Sequence, residues 1–267
     1  MSVRFRFVLV SFLFACGSSP TPAREDDGGR GRDAGRSGPT VDAAFDASPA
    51  ACDRLVLTVR DFREDHPDFE NHAYQVGDSR VARTGLVETR LDADHKPVHA
   101  ASGPTAMTAG PERFAEWYRD VEGVNQRFEV EIPLTSSGDG RWVYDSAAFF
   151  PVDGRGFGDG TYSEGGVSVT HNFHFSTELH TRFRYRGGEV LTFRGDDDLW
   201  IFVEDELVLD LGGLHEPVEG TIDFDAIAGR LGLEIGGDYR LSLFHAERHS
   251  TGSNFRIETS IECFELI

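Results

Sequence analysis

Between Val190 and Leu211 the chain alternates between β-like and acidic stretches in a way that few folds accommodate. An apolar run, Val190 to Phe193, leads into Asp196-Asp197-Asp198, and the apolar and aromatic residues Leu199 to Val203 follow. Glu204-Asp205-Glu206 then precedes a third run, Leu207 to Leu211. This predicts strand, acidic corner, strand, tight turn, strand. Three adjacent carboxylates repel one another, so packing alone gives no reason to place them between strands. Either a bound cation such as calcium supplies the reason, or the corner is a solvated acidic turn.

Runs of the same kind fill most of the chain. They are Leu55 to Val59, Phe128 to Ile132, Trp142 to Tyr144, Ala147 to Phe150, Val167 to Thr177, Leu179 to Tyr185, Glu189 to Phe193, Thr221 to Phe224, Tyr239 to His245 and Phe255 to Phe264. One helix is expected, Pro111 to Val121. Proline suits its first position, Phe114, Trp117, Tyr118 and Val121 recur at helical spacing, and Gly123 follows as a stop. Residues 71 to 110 read as an irregular excursion. Many short strands, glycine-rich turns and one short helix predict an all-β, antiparallel sandwich in a single domain over residues 52–267.

The first 51 residues read differently. A basic start, an apolar core from Phe7 to Phe14, and Leu13-Phe14-Ala15-Cys16 predict an export signal over residues 1–16. Its end resembles a bacterial lipobox, which implies lipidation at Cys16 and a lipid anchor at the bacterial outer membrane or cell surface. The anchor would then be the only membrane contact. Residues 17–51 are rich in Gly, Pro, Ser and Asp and poor in apolar residues, as expected of a disordered tether. In an exported chain the remaining cysteines, Cys52 and Cys263, either pair or stay as two buried thiols. The oxidising compartment favours the pair.

Composition excludes some functions. Lys and Arg number 26 against 46 Asp and Glu, a net charge of −20 that disfavours nucleic acid and anionic lipid headgroups as partners. No Gly-x-Ser-x-Gly motif is present and the cysteines have other uses, so a nucleophilic enzyme is not expected. The loop Pro151 to Gly160 contains Asp153, but Arg155 occupies the third position of the EF-hand pattern and no helices flank the loop. We read it as a rim loop beside a ligand. Period-two alternation puts His245, Glu247 and His249 on one face at the end of a strand. There they either bind a transition metal or support a neighbouring site.

Further motifs carry a family resemblance. Arg60-Asp61-Phe62, His66-Pro67-Asp68-Phe69, Trp117-Tyr118-Arg119-Asp120, His171-Asn172-Phe173-His174-Phe175, Gly195-Asp196-Asp197-Asp198-Leu199-Trp200, Asp210-Leu211-Gly212-Gly213 and Ser253-Asn254-Phe255 together resemble the fibro-slime domain. That domain is similar in turn to the PA14 β-sandwich. PA14-like adhesins hold calcium between two adjacent aspartates joined by a cis peptide, and the ion binds sugar hydroxyls. The resemblance places that pair on Asp196 and Asp197. Successive side chains on a trans strand point to opposite faces, whereas a cis link turns both to one side.

The resemblance therefore implies a calcium site with Asp198 and Asn254 as further ligands. His245, Glu247, His249, Asp153 and Trp200 would line or support it. It also implies non-catalytic recognition of extracellular polysaccharide or glycoprotein. The alternative is a structural component of an extracellular matrix with no small-ligand site. Two residues depart from the family pattern: Asp198 replaces a small residue, and Glu204-Asp205 replaces an Asp-Gly or Asn-Gly turn.

Overall fold

A computed structural model describes residues 52–74, 77–164, 166–250 and 252–267. The expected signal, Cys16 and the tether lie outside the described residues. In chain order the elements are β1 (Arg54–Phe62), α1 (Pro111–Phe114), β2 (Asn125–Pro133), β3 (Thr135–Ser136), β4 (Trp142–Ser146), β5 (Gly160–Glu164), β6 (Val167–His171) and β7 (Phe175–Arg184). There follow β8 (Val190–Gly195), β9 (Asp198–Val203), β10 (Glu206–Leu211), β11 (Val218–Asp223), α2 (Phe224–Leu231), β12 (Asp238–Glu247), β13 (Phe255–Thr259) and β14 (Phe264–Leu266).

The strands form an antiparallel β-sandwich. One sheet has the order β10-β9-β12-β7-β1-β2, with β14 also paired to β7, and the other runs β11-β8-β13-β4-β3. Leu57, Leu179 and Leu243 of the first sheet and Phe193, Phe255 and Ile257 of the second share one core. Alternation explains this layer, because a strand that buries one face places every second side chain there. The larger sheet is also covered on its other face. There Trp200, Phe202 and Phe244 pack against Phe62, Phe69, Phe114 and Trp117, so all six residues of β9 are buried. The long segment between β1 and β2 is the cover of this second core.

The helix expected over Pro111 to Val121 stops at Phe114, and α2 stands where the sequence predicts a strand end. Beyond Phe114 the N–H groups of Glu116 and Trp117 reach back only three residues, to the carbonyls of Arg113 and Phe114. The Asn125 amide then donates to the carbonyls of Glu116 and Arg119 at 2.9 and 2.8 Å. These turns still bury the aromatic stripe, so helical spacing is met without a helix. For α2 the local signals are present: the Asp223 carboxylate accepts from Ala226 N–H, and Gly232 closes the end at φ 69°. Ala147 to Phe150 is not a strand either, and there Phe149 N–H bonds to the Ser253 carbonyl instead of a ladder.

The β9–β10 hairpin turns on Glu204 and Asp205, both left-handed at φ 50° and 64°. Side chains compensate for the missing glycine. Glu204 Oε1 accepts from Arg240 N–H at 2.6 Å, and Asp205 Oδ1 pairs with His95 Nδ1 at 2.9 Å.

Cys52 and Cys263 form a disulfide across 211 residues of sequence. The chain-entropy model credits long loops most, and native disulfides commonly contribute about 2–4 kcal/mol. Exchanging both cysteines for serine should lower the urea midpoint by a corresponding amount, and reduction with dithiothreitol should reproduce that loss.

Glu178 of β7 shows the electrostatics of the outer core. Its side chain is buried, accepts from Arg60 Nη1 at 2.7 Å and His180 Nε2 at 2.5 Å, and pairs with Lys96. Burial pushes its pKa up, but the His180 hydrogen bond and the charges of Lys96 and Arg60 outweigh that and hold it at about 2. A depressed carboxyl stabilises the fold above its unfolded value near 4.5, and that contribution disappears as pH falls through about 2. Glu178→Gln should therefore be destabilising at pH 7, with the difference from the parent chain shrinking between pH about 4.5 and 2. Urea unfolding across that range measures it.

Candidate metal and ligand cleft

At the acidic corner the chain leaves one sheet and enters the other, since β8 belongs to the smaller sheet and β9 to the larger. Gly195 allows the crossing. A Cβ there would lie 2.5 Å from the Asn254 carbonyl oxygen and 2.8 Å from the Phe193 ring, so no side chain fits. This close approach draws the residues before β13 against the corner. The peptide bond between Asp196 and Asp197 is cis.

Backbone groups fix both carboxylates. Asp196 accepts from Asn254 N–H at 2.5 Å and from Asn254 Nδ2 at 2.9 Å. Asp197 accepts from the N–H groups of His215 and Arg248, at 3.2 and 3.1 Å. From the core side His245 Nε2 donates to the Asp196 carbonyl at 2.8 Å. His245 is fully buried, and burial lowers its basicity to about 4, so it is a neutral ring with its proton on Nε2. It supports the corner from beneath.

Asp196, Asp197, Glu247, His249 and Asn254 line one open cleft of about 410 Å³, with Leu214 to Pro217 on its other side. The electrostatics of this wall are unbalanced. Burial pushes the Asp197 carboxyl well up, and the charges of Asp198 and Asp196 add to that against the opposing pull of Arg248. Glu247 is likewise pushed well up, first by burial and then by Asp197 and Asp196, and its Oε2 has no hydrogen-bond partner among the described residues. Burial raises Asp196 too. Three carboxyl groups and an amide converge here, and the Glu247 oxygen without a partner lies among them. The donors are hard oxygens, which suit calcium better than soft-ligand metals.

Three expected site residues are elsewhere. Asp198 points into the second core, where it accepts from Arg248 Nε at 2.6 Å and Gly213 N–H at 2.5 Å. Both oxygens are engaged at zero exposure, so it is an ion-pair partner and not a cleft ligand. Strand alternation explains the difference, because β9 begins at Asp198 and faces it away from Asp197. Trp200 is buried in the same core and donates Nε1 to Asp210 at 2.9 Å. Asp153 holds its own loop, accepting from Asn172 N–H at 2.9 Å and pairing with His171 at 2.7 Å.

Sequence reading missed Arg248 and Glu70. Fully buried Arg248 pairs with Asp198, donates to the carbonyls of Asp68 and Met107 at 3.3 and 2.8 Å, and lies 4.7 Å above the Trp117 ring. Glu70 accepts from both Ser250 N–H and Ser250 Oγ at 2.9 Å, tying down the loop that carries Asn254. Phe244 and Ala246, on the Arg248 face of β12, were the available signal that this face is buried as well.

The PA14 domain family model matches residues 159–263, a span that contains the cis pair, Glu247 and Asn254. Among curated proteins, psiQ of Dictyostelium discoideum is 37% identical over 206 residues, covering 74% of this chain and 20% of that protein. From the same organism, psiD is 35% identical over 218 residues, covering 78% and 42%, and psiC is 39% identical over 211 residues, covering 75% and 39%. The chain thus spans less than half the length of these relatives. The PA14 domain of the MpAFP antifreeze protein covers 44% of this chain and 63% of its own at 9% identity, with a TM-score of 0.26 that carries no argument.

These relatives correct the expected address. They come from a eukaryote, which points away from a lipid-anchored protein of the bacterial outer membrane. The expectation rested on a basic start, a short apolar run and Cys16. Those features describe export in general physical terms and do not identify the membrane reached.

Proposed function

We propose, from the PA14 match over residues 159–263, that this chain is a non-catalytic binding module of the extracellular type that recognises carbohydrate through calcium. The narrower fibro-slime resemblance supports the same reading. The observation that carries it is the wall of the cleft, where Asp196 and Asp197 are held by backbone N–H groups beside Glu247, whose buried Oε2 has no partner among the described residues.

Asp196, Asp197 and Asn254 would hold the ion, with Glu247 adding negative charge behind them. Bound calcium would offer its remaining coordination positions to hydroxyl pairs of a polysaccharide or glycoprotein glycan. His245 keeps the Asp196 carbonyl in place, and Gly195 leaves room for Asn254. The open cleft and its polar lining residues suit an exposed sugar better than an enclosed cofactor. The disulfide fits an oxidising environment outside the cytosol.

A glycan array probed with the full chain in calcium and again in EDTA tests this. Sugar binding that chelator removes is the expected result. Sugar-blind self-association, unchanged by chelator, would favour a matrix-building role and overturn the lectin reading.

A further inference from the structure

We propose that Glu70, His72 and His249 form a second metal site, of the transition-metal class, at the rim of the same cleft. One ligand atom from each of the three lies within 4.8 Å of the others. Glu70 and His72 come from the loop after β1, and His249 from the residues just beyond β12. The segments are joined by Glu70 N–H donating to the Arg248 carbonyl at 2.7 Å. The grouping therefore depends on the tertiary fold and is invisible to sequence spacing.

The donors are suitably prepared. Glu70 Oε2 accepts from Ser250 N–H at 2.9 Å and pairs with His174 Nε2 at 3.1 Å, while Oε1 accepts from Ser250 Oγ. Each oxygen has two lone pairs, and Oε1 keeps one toward His72 Nε2, 3.7 Å away. Burial raises the pKa of Glu70, but the His174 and Ser250 hydrogen bonds outweigh that and hold it at about 2, so the carboxylate is anionic. Such outer partners fix the orientation of a metal-binding carboxylate. The rings of His72 and His249 meet edge to face with centroids 5.2 Å apart. Burial lowers the basicity of His249 against the pull of the Glu70 charge, and the Arg248 charge adds to the lowering.

Two imidazoles and one carboxylate favour zinc and its neighbours over calcium, which takes oxygen ligands almost exclusively. Zinc bonds of about 2.0–2.1 Å require the donors to draw closer than they now stand. His72 can supply the movement, because its side chain is 76% exposed. A purely structural role for Glu70 explains the Ser250 and His174 contacts but not the convergence of His72 and His249 on the same carboxylate. Three protein donors leave a coordination position open, and His249 also lines the main cleft, so a metal here would border whatever the cleft holds.

Titrating the full chain with zinc chloride in saturating calcium, by calorimetry, tests the site. A single saturable zinc is expected, weakened about tenfold or more by His72→Ala and by His249→Gln. Asp197→Asn should leave zinc binding unchanged while removing calcium binding, so the two readings fail separately. Cobalt(II) should give visible absorption bands that the histidine variants lose. Since His72 is exposed, a thermal melt of His72→Ala matching the parent separates lost binding from lost folding. No saturable zinc, zinc binding indifferent to both histidine variants, or zinc binding abolished by Asp197→Asn would each overturn the proposal.

Discussion

Asp197→Asn is expected to remove calcium stabilisation altogether. The amide keeps the shape of the carboxylate but only one acceptor oxygen, so it can accept from one of the N–H groups of His215 and Arg248, which reach different oxygens of Asp197. What it removes is a charge that burial and two acidic neighbours already oppose. In the parent chain calcium at about 100 times its dissociation constant would add about 2.7 kcal/mol. For a domain of this size that corresponds to a melting shift of roughly 5–10 °C. Differential scanning calorimetry with calcium and with EDTA reads both arms. An Asp197→Asn chain that gains as much from calcium as the parent would sink the assignment of the ion to this pair.

Arg248→Met is expected to be the most damaging single exchange, at about 3–5 kcal/mol, because it strands Asp198 as an uncompensated buried charge. Arg248 and Asp198 have zero exposed side-chain area and meet at 2.6 Å, with the Arg248 guanidinium also bonded to two carbonyls and stacked over Trp117. The damage should be largely electrostatic. Combining Arg248→Met with Asp198→Asn should recover a substantial part of it, since a neutral amide is far cheaper to bury than a lone carboxylate. Equilibrium unfolding in guanidinium chloride measures all three chains. If Arg248→Met costs under about 1 kcal/mol, or the second exchange recovers nothing, the pair is not what anchors this core.

The sandwich was legible because its evidence is local. Alternation along Tyr239 to Glu247 and the acid run before Leu199 each mark a strand boundary within a few residues. The corner at Asp196 and Asp197 was reached through the family resemblance, while its physical cause, a crossing between sheets, is a matter of topology. Asp198 was misassigned because three adjacent acids look equivalent in sequence, and only the onset of β9 divides them between a cleft and a core. Arg248 escaped notice for a related reason: a charged residue near a strand end reads as solvated unless a second layer covers that face. That layer comes from a segment with little periodicity of its own, held by side-chain to backbone bonds such as those of Asn125 and Asp68. These contacts join residues 9 and 41 positions apart and leave no repeating trace.

The disulfide has a mechanical corollary. Its two Cα atoms stand 4.2 Å apart, while 211 positions of chain separate them. Tension applied at positions 52 and 263 would be carried by a covalent strut, and the ladders between would feel none of it. Between those two points the domain should behave as an inextensible knot: single-molecule pulling through them should show no unfolding step until a reductant is added, and then a long one.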